Sequence, residues 1–279
     1  MAINFRRYDL AMRVVGVHGI GNFLPGVPAV EAERQHALTW STALDRPAVR
    51  MRIAYYADLL NRNLPQGGGV RQMSEAQAEM LQHWATALGM PAEVAAGRLT
   101  VPVRQIVSWM AERTALNVDT VDWFVGQFLT EVHAYFGGDP ALRAACRDRV
   151  AATIAAHRPQ VVIAHSLGSV VTFETLCMDN SLGVDTLITL GSPLGLPHVV
   201  FERLLPDICP TPRRPLGVRK WINIADVGDL IAVPVQLGGR FDVDAHRDAS
   251  IGVFDFHRVR RYLASPATAE AIAQAGAVR

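Results

Sequence analysis

Short apolar runs alternate with segments of helical period along much of the chain. The runs are rich in β-branched residues, and their length and composition are typical of buried strands. They occupy Arg13 to Val17, the start of Val49 to Leu60, Val161 to Ile163, Thr186 to Leu190 and Lys220 to Ala225. Strands that alternate with helices at this spacing predict an α/β fold, with a mostly parallel central sheet and helices on both faces.

The segments between these runs predict the helices. They include Glu31 to Leu44, the stretch after Ser166, and Phe256 to Ala275 with a break near Pro266. The helix before the third run has a well-defined start, because Asp139 suits the N-cap and Pro140 suits the first helical position. This helix is predicted to run to about residue His157.

The pattern changes between residues 61 and 138. Pro65 to Gly69 breaks the chain, and the segments that follow have helical period and carry tryptophan and phenylalanine. We therefore predict a single domain, residues 1–279, with an α-helical insertion or cap at 61–138. In its last helix, six side chains fall on one face: Val118, Val121, Val125, Phe128, Val132 and Tyr135. Because most amphipathic faces are buried, this face is predicted to pack on the core and not to form a lipid-contacting lid.

The charge balance gives no reason to expect a nucleic-acid partner. Basic and acidic residues number 27 and 26, for a net charge of +1, whereas nucleic-acid-binding domains carry basic patches. The cysteines, Cys146, Cys177 and Cys209, are far apart, so neither a zinc site nor a disulfide framework is predicted. The N-terminus lacks an apolar signal core, and no stretch reaches the roughly 20 apolar residues that span a bilayer. We expect a cytoplasmic protein without a transmembrane segment.

Ser166 stands where a buried strand run stops and an apolar helix begins. It lies in Ala-His-Ser-Leu-Gly, one residue away from the Gly-x-Ser-x-Gly nucleophile elbow, in which the serine occupies a strained turn at the top of a sheet. The flanking positions must be small, and Ala164 and Gly168 meet that requirement. Ser166 is therefore the candidate nucleophile. The alternative is an ordinary serine in a strand-to-helix connection.

A serine nucleophile needs a base within hydrogen-bonding reach. Among the nine histidines, the side chain of His165 is expected on the other side of the turn, and three others lie downstream: His198, His246 and His257. His257 opens the terminal helix after an irregular region, so a loop can carry it over Ser166. His257 is the preferred base, ahead of His246 and then His198.

Two carboxylates compete to orient the base. Asp226 ends the Lys220 to Ala225 strand, and Asp229 lies one turn further on. An acid on the loop can reach the imidazole, whereas an acid at the strand end is equally suited to bracing the loop by accepting backbone N–H bonds. We prefer Asp229 and assign Asp226 a supporting role.

The oxyanion of a tetrahedral intermediate needs preorganised N–H donors. The N–H of Leu167 follows the nucleophile at the start of its helix, where the helix dipole favours negative charge. The N–H of Ile20 lies in the turn His18 to Gly21, where Gly19 and Gly21 allow close backbone approach. Ile20 and Leu167 are the predicted oxyanion hole. The alternative for the turn is a plain connection between a strand and a helix.

Five short motifs occur in order between Arg13 and Leu263. They are V-H-G-I-G, A-H-S-L-G, T-L-G-S-P-L-G, W-I-N-I-A-D-V-G-D and H-R-V-R-R-Y-L. Together they resemble the α/β-hydrolase superfamily, specifically its bacterial lipase/esterase-like members. The resemblance implies an α/β-hydrolase fold with Ser166 as nucleophile, His257 as base, Asp229 as its orienter, and Ile20 with Leu167 as oxyanion hole. The chain departs from the family at Ala164, which replaces a glycine, and in its insertion, which precedes the elbow.

These features predict a serine hydrolase that cleaves a carboxylic ester, or a thioester or amide, through an acyl-enzyme. The partner is a small-molecule ester or acyl substrate, and the apolar insertion favours a lipid-like acyl group. No metal or organic cofactor is required for this chemistry. Two alternatives stay open: an acyltransferase that uses the same triad, and a non-catalytic module that binds a ligand or partner on the same fold.

Overall fold

A parallel sheet of six strands forms the centre of the fold in the part of the chain that the structure describes. The structure is a computed structural model, and it describes residues 11–61, 70, 73–91, 103–114, 116–205, 214–252 and 257–276. The strands are β1 (Met12–Val17), β2 (Val49–Ala54), β3 (Val161–His165), β4 (Val184–Leu190), β5 (Val218–Ala225) and β6 (Ala245–Asp248). The α/β class and the parallel sheet predicted from the apolar runs are confirmed.

The strand order is β2-β1-β3-β4-β5-β6. All five neighbouring pairs are parallel, so the carboxyl ends of the strands meet at one edge of the sheet. The order changes direction between β1 and β3, because the chain adds β2 on one side of β1 and the remaining strands on the other. In open α/β sheets, ligands bind beyond the carboxyl ends of the strands at such a switch point.

Helices cover the sheet. The described helices are α1 (Ala29–Leu44), α2 (Ala57–Leu60), α3 (Glu75–Ala87), α4 (Val103–Thr114), α5 (Val118–Gly137), α6 (Pro140–His157), α7 (Leu167–Met178), α8 (Val259–Leu263) and α9 (Pro266–Gly276). The predicted start of α6 is observed, since the side chain of Asp139 caps the Ala141 N–H at 2.9 Å and Pro140 is the first helical residue. Within the described residues, no helix combines the length and apolar character needed to cross a bilayer.

Two hydrophobic cores lie on opposite faces of the sheet. Alternate residues of β3 contribute to them: Val162 and Ala164 to one core, and Val161 and Ile163 to the other. Every residue of β3 is therefore buried, which explains why its sequence is continuously apolar and not alternating.

The helices of the insertion belong to the first of these cores. Trp84 of α3 and Phe128 of α5 are fully buried there, with their ring centroids 4.8 Å apart. The Trp84 indole N–H also donates to Leu230 O at 2.7 Å, which ties α3 to the loop after β5. Of the predicted apolar face of α5, all members except Val118 are buried; Val118 is 46% exposed. The start of the insertion, 62–69, lies outside the described residues.

The strand predicted at the start of Val49 to Leu60 is confirmed as Val49–Ala54, and the end of this run forms the short helix α2. The structure differs from the sequence-based expectation in one segment. The segment after β5 was expected to be irregular, but Ala245–Asp248 forms the edge strand β6. Its sequence, Ala-His-Arg-Asp, has no apolar signal because the strand lies at the edge of the sheet and is only half-buried.

Candidate active site

Ser166 connects β3 to α7 in a strained backbone conformation. Its φ and ψ are 54° and −131°, values that non-glycine residues adopt rarely and at an energetic cost. Its N–H donates to Leu190 O at 3.0 Å, and its carbonyl accepts the Ser169 N–H at 2.9 Å. The helix begins at the next residue, Leu167. Ser166 therefore occupies a sharp strand-to-helix turn, which is the backbone geometry expected of a nucleophile elbow.

The turn after β1 packs directly against this elbow. A β-carbon at Gly19 would lie 2.5 Å from Ser166 Cβ, and one at Gly168 would lie 2.3 Å from His18 O. Both distances are far below van der Waals contact, so only glycine fits at either position. The sequence analysis expected a small residue at 168, and the structure is stricter, because the main chain of β1 and its turn leaves no room even for a methyl group.

His257 and Asp229 form a buried pair. The imidazole Nδ1 lies 2.9 Å and 2.8 Å from the two carboxylate oxygens of Asp229, and the residues are 6% and 2% exposed. Because a carboxylate accepts, Nδ1 carries the proton and Nε2 has a free lone pair. Among the described residues, neither His257 Nε2 nor Ser166 Oγ has a hydrogen-bond partner, although both atoms are buried.

The turn after β4 packs against both Ser166 and the His257–Asp229 pair. The Gly191 N–H donates to Ile224 O at 3.0 Å, which holds this turn against β5. A β-carbon at Gly191 would lie 2.7 Å from Asp229 Oδ2 and 3.2 Å from His257 Cε1. Leu190, the residue before Gly191, accepts the Ser166 N–H. The serine and the His257–Asp229 pair therefore lie against the same turn.

Asp229 is held by two further donors. The Ile231 N–H reaches Oδ1 at 2.9 Å, and the hydroxyl of Tyr262 donates to Oδ2 at 2.6 Å. Burial, followed by the nearby Asp229 charge, raises the pKa of Tyr262 well above its usual range, so the phenol stays a donor. Sequence reasoning missed Tyr262, because nothing in the terminal helix distinguishes it from a core aromatic.

Asp226 has a different role from Asp229. Its oxygens accept the Gly228 N–H and the Ile251 N–H, each at 2.7 Å. Its own N–H donates to the Tyr262 hydroxyl at 3.0 Å. Asp226 therefore braces the loop after β5, which is the role that the sequence analysis considered for an acid at the strand end.

The two alternative histidines have other partners. His246 lies on β6, with Nδ1 3.0 Å from the Asn223 amide and Nε2 3.2 Å from Asp248 Oδ1. His198 is exposed, and its ring centroid lies 4.7 Å from that of His83. Both ring nitrogens of His246 therefore have partners, so neither is left to act as a base on Ser166. Among the described residues, neither His246 nor His198 is hydrogen-bonded to Asp226 or Asp229.

His165 lies beside the preferred base. Its ring centroid is 4.6 Å from that of His257, and its Nε2 lies 3.1 Å from His257 O. Since the carbonyl can only accept, Nε2 is the protonated nitrogen. Burial lowers the pKa of His165 well below its usual range, so the ring is neutral. It positions the segment that carries His257.

His18 holds the turn after β1 from within the core. Its Nδ1 is 2.9 Å from Gly19 O, and its Nε2 accepts the Tyr56 N–H at 3.2 Å. The Tyr56 ring stacks on the imidazole at a centroid distance of 4.3 Å, and the Tyr56 hydroxyl donates to His18 O at 2.8 Å. Burial lowers the pKa of His18 to about 3, so this support is neutral at physiological pH.

The predicted oxyanion donors lie at two adjacent turns. Leu167 is the first residue of α7, and Ile20 follows Gly19, which contacts Ser166. In the described part of the chain, neither N–H donates to another main-chain group. The next residue, Gly21, has φ of 68°, and its N–H donates to Glu131 Oε1 at 2.8 Å. Sequence reasoning did not identify Glu131.

A cavity of about 340 Å³ opens beside Ile20 and His257, whereas Ser166 and Leu167 are fully buried and do not line it. Aromatic side chains of α5 form one wall, and the Phe124 ring meets the His257 ring edge-on at 5.5 Å. The cavity is lined by Ile20, Gly21, Asn22, Thr120, Trp123, Phe124, Gln127, His165, His257, Arg258, Val259 and Arg260. A larger cavity of about 630 Å³ lies at the opposite edge of the sheet, near Met12, Val49 and Thr186, away from every predicted site residue.

Comparison with known proteins gives no match to a family model, to a curated protein or to a solved structure. Among the described residues, no group of three or more His, Cys, Asp or Glu side chains is arranged to hold a metal ion. The chemically able groups gathered at the carboxyl edge are a serine, an oriented imidazole and main-chain N–H donors.

Proposed function

We propose that the protein is a serine hydrolase of the α/β-hydrolase type, which cleaves a carboxylic ester through an acyl-enzyme on Ser166. The observation that carries this proposal is the 2.8 Å contact between His257 Nδ1 and Asp229, together with a buried Nε2 that has no partner in the described part of the chain. Buried polar atoms are almost always hydrogen-bonded, and the exceptions need an explanation. A base that awaits the serine proton and the leaving group supplies that explanation.

The groups support a two-step reaction. Ser166 Oγ attacks the ester carbonyl carbon while His257 Nε2 takes the hydroxyl proton, and Asp229 stabilises the imidazolium. The N–H groups of Ile20 and Leu167 receive the oxyanion. The intermediate collapses, the carbonyl-to-alcohol bond breaks, and His257 returns the proton to the leaving alcohol. Water then repeats the sequence on the acyl-enzyme and releases the acid.

The cavity favours an apolar acyl group. Ile20, Phe124 and Val259 line it next to His257, and Trp123 is 54% exposed at its wall. Exposed large aromatics beside a cleft are typical of ligand-binding surfaces. An ester of an aliphatic or aromatic acid fits this lining.

A fluorophosphonate probe tests the proposal directly. The wild type is expected to be labelled once, at Ser166, whereas Ser166→Ala is expected to remain unlabelled. Hydrolysis of short and long p-nitrophenyl esters then defines the acyl preference. Folded wild-type protein that takes up no label would refute the hydrolase and favour a binding module on the same fold.

The two aspartates provide a matched comparison within one loop. Asp229→Asn is expected to lower kcat about 10⁴-fold, because the imidazole then loses its tautomer and orientation. Asp226→Asn removes acceptors for two loop N–H groups, so a loss of stability is expected and a much smaller loss of kcat. The opposite ranking of kcat would show that Asp226 orients the base.

A further inference from the structure

A buried carboxylate from the helical insertion reaches the turn that carries Ile20. Glu131 of α5 is 1% exposed, and its Oε1 accepts the Gly21 N–H at 2.8 Å. The two residues are 110 positions apart in the chain. The contact is a tertiary hydrogen bond between the insertion and the turn. It offsets part of the cost of burying an ionisable group, which is high unless the group is hydrogen-bonded.

The other groups around this carboxylate include neutral amides. The Gln127 side chain, one turn earlier on α5, donates to the same oxygen. The Asn61 amide, which donates to Ala57 O at 3.1 Å, also favours the ionised carboxylate and so lowers its pKa. In the part of the chain that the structure describes, the titratable groups that face it are the phenols of Tyr55 and Tyr56. Burial raises the pKa of both phenols, so they stay neutral near pH 7.

The peptide groups of the turn are fixed from both sides. The Asn22 side-chain amide donates to Gly19 O at 3.0 Å and to Ile20 O at 2.8 Å. Glu131 binds the N–H of the peptide whose carbonyl belongs to Ile20. The Gly19 C=O and the Ile20 N–H belong to one trans peptide and point in opposite directions, so anchoring Gly19 O sets the direction of the Ile20 N–H. Anchoring the next peptide, Ile20–Gly21, holds the other side of Ile20.

We propose that Glu131 is a positioning residue for the oxyanion turn, which makes the helical insertion part of the catalytic apparatus. This inference rests on the proposed function, because it assigns Glu131 to the donor that receives the oxyanion. The carboxylate touches neither substrate nor reacting atoms and acts through Gly21 on Ile20. Burial raises the pKa of Glu131 to about 7, so its ionised, stronger-accepting form predominates only above neutrality.

The test compares three variants with the wild type in p-nitrophenyl ester hydrolysis from pH 6 to pH 8.5. Glu131→Ala removes the acceptor, and kcat is expected to fall about 10- to 100-fold with KM within about twofold, because the oxyanion forms only in the transition state. Glu131→Gln keeps a neutral acceptor oxygen and should recover most of this loss. The kcat ratio of wild type to Glu131→Gln should exceed 1 at pH 8 and approach 1 at pH 6.

Tyr135→Phe is the matched control. Its hydroxyl lies one turn further along α5 and donates to the buried Glu174 at 2.7 Å, so the variant loses a buried hydrogen bond without touching the turn. Its kcat should equal that of the wild type. An equal loss of kcat in Tyr135→Phe and Glu131→Ala, or a wild-type-to-Gln ratio that is flat with pH, overturns the proposal.

The fluorophosphonate reaction separates this inference from the proposed function. A wild-type protein that is neither labelled nor active refutes both the proposed hydrolase function and the positioning role of Glu131. A wild type that labels and turns over, with Glu131→Ala indistinguishable from it in kcat, removes the positioning role alone and leaves the hydrolase intact.

Discussion

The burial of Glu131 predicts a specific pH dependence of the stability of the fold. Burial raises the pKa of this carboxyl from 4.5 to about 7, so the folded protein binds the proton more tightly than the unfolded chain does. The stability that this proton contributes is fully present below pH 4.5 and is lost as the pH rises through 7. Since one pKa unit corresponds to about 1.4 kcal/mol, the full shift amounts to about 3 kcal/mol.

Glu131→Gln is the perturbation that isolates this effect. Glutamine resembles the protonated carboxyl in shape and neutrality, so it should fit the site at every pH. Relative to the wild type, the variant is expected to gain about 2 to 3 kcal/mol in free energy of unfolding between pH 5 and pH 8. Urea denaturation of both proteins at the two pH values, followed by tryptophan fluorescence, measures this change.

The comparison has an internal control. Every other titrating group is common to the two proteins, so its contribution cancels in the difference. Glu112→Gln, which replaces an exposed glutamate on α4, is the matched variant. If the Glu131→Gln difference does not change with pH, or changes no more than that of Glu112→Gln, the burial of the Glu131 carboxyl behind the turn is refuted.

Two further predictions concern contacts close to Ser166 and Asp229. Tyr262→Phe removes the 2.6 Å bond to Asp229, so we expect a loss of about 1 to 3 kcal/mol in urea denaturation and a lower kcat; unchanged values would mean that the phenol is dispensable. Gly168→Ala forces a β-carbon to within 2.3 Å of His18 O, so reduced thermal stability and slower fluorophosphonate labelling are expected. Gly183→Ala, with open space around the new methyl, is its control.

The central part of the fold was predictable because burial on both faces leaves a strong mark on the sequence. The β3 run can be continuously apolar only where helices cover both sides of the sheet, and this is where it lies. The polar edge strand β6 carries no such mark, since its half-exposed residues tolerate His, Arg and Asp. For this reason, the pattern of apolar residues predicts central strands but does not reveal a short, polar edge strand.

The candidate site was predictable only along the strands. His257 and Asp229 were chosen from their positions after predicted strands, and His257 Nδ1 lies 2.8 Å from Asp229 Oδ2. Their catalytic role stays a prediction. Glu131 had a signal that was not used, because it falls on the apolar face of α5, three residues after Phe128 and four before Tyr135. A charged residue on a buried face needs partners, and those partners cannot be identified from local sequence.

Glu131 and His18 support the same turn with opposite responses to pH. Burial lowers the pKa of His18 from 6.5 to about 3, so below pH 6.5 the unfolded chain takes up a proton that the fold excludes, and stability falls. Protonation of Glu131 in the folded protein has the opposite effect, since it raises the free energy of unfolding as the pH falls from about 7 to 4.5. Each slope is about 1.4 kcal/mol per pH unit, so the two contributions cancel between pH 4.5 and 6.5. A flat wild-type profile in that interval is therefore compatible with two strongly perturbed groups at one turn, and only single replacements can separate them.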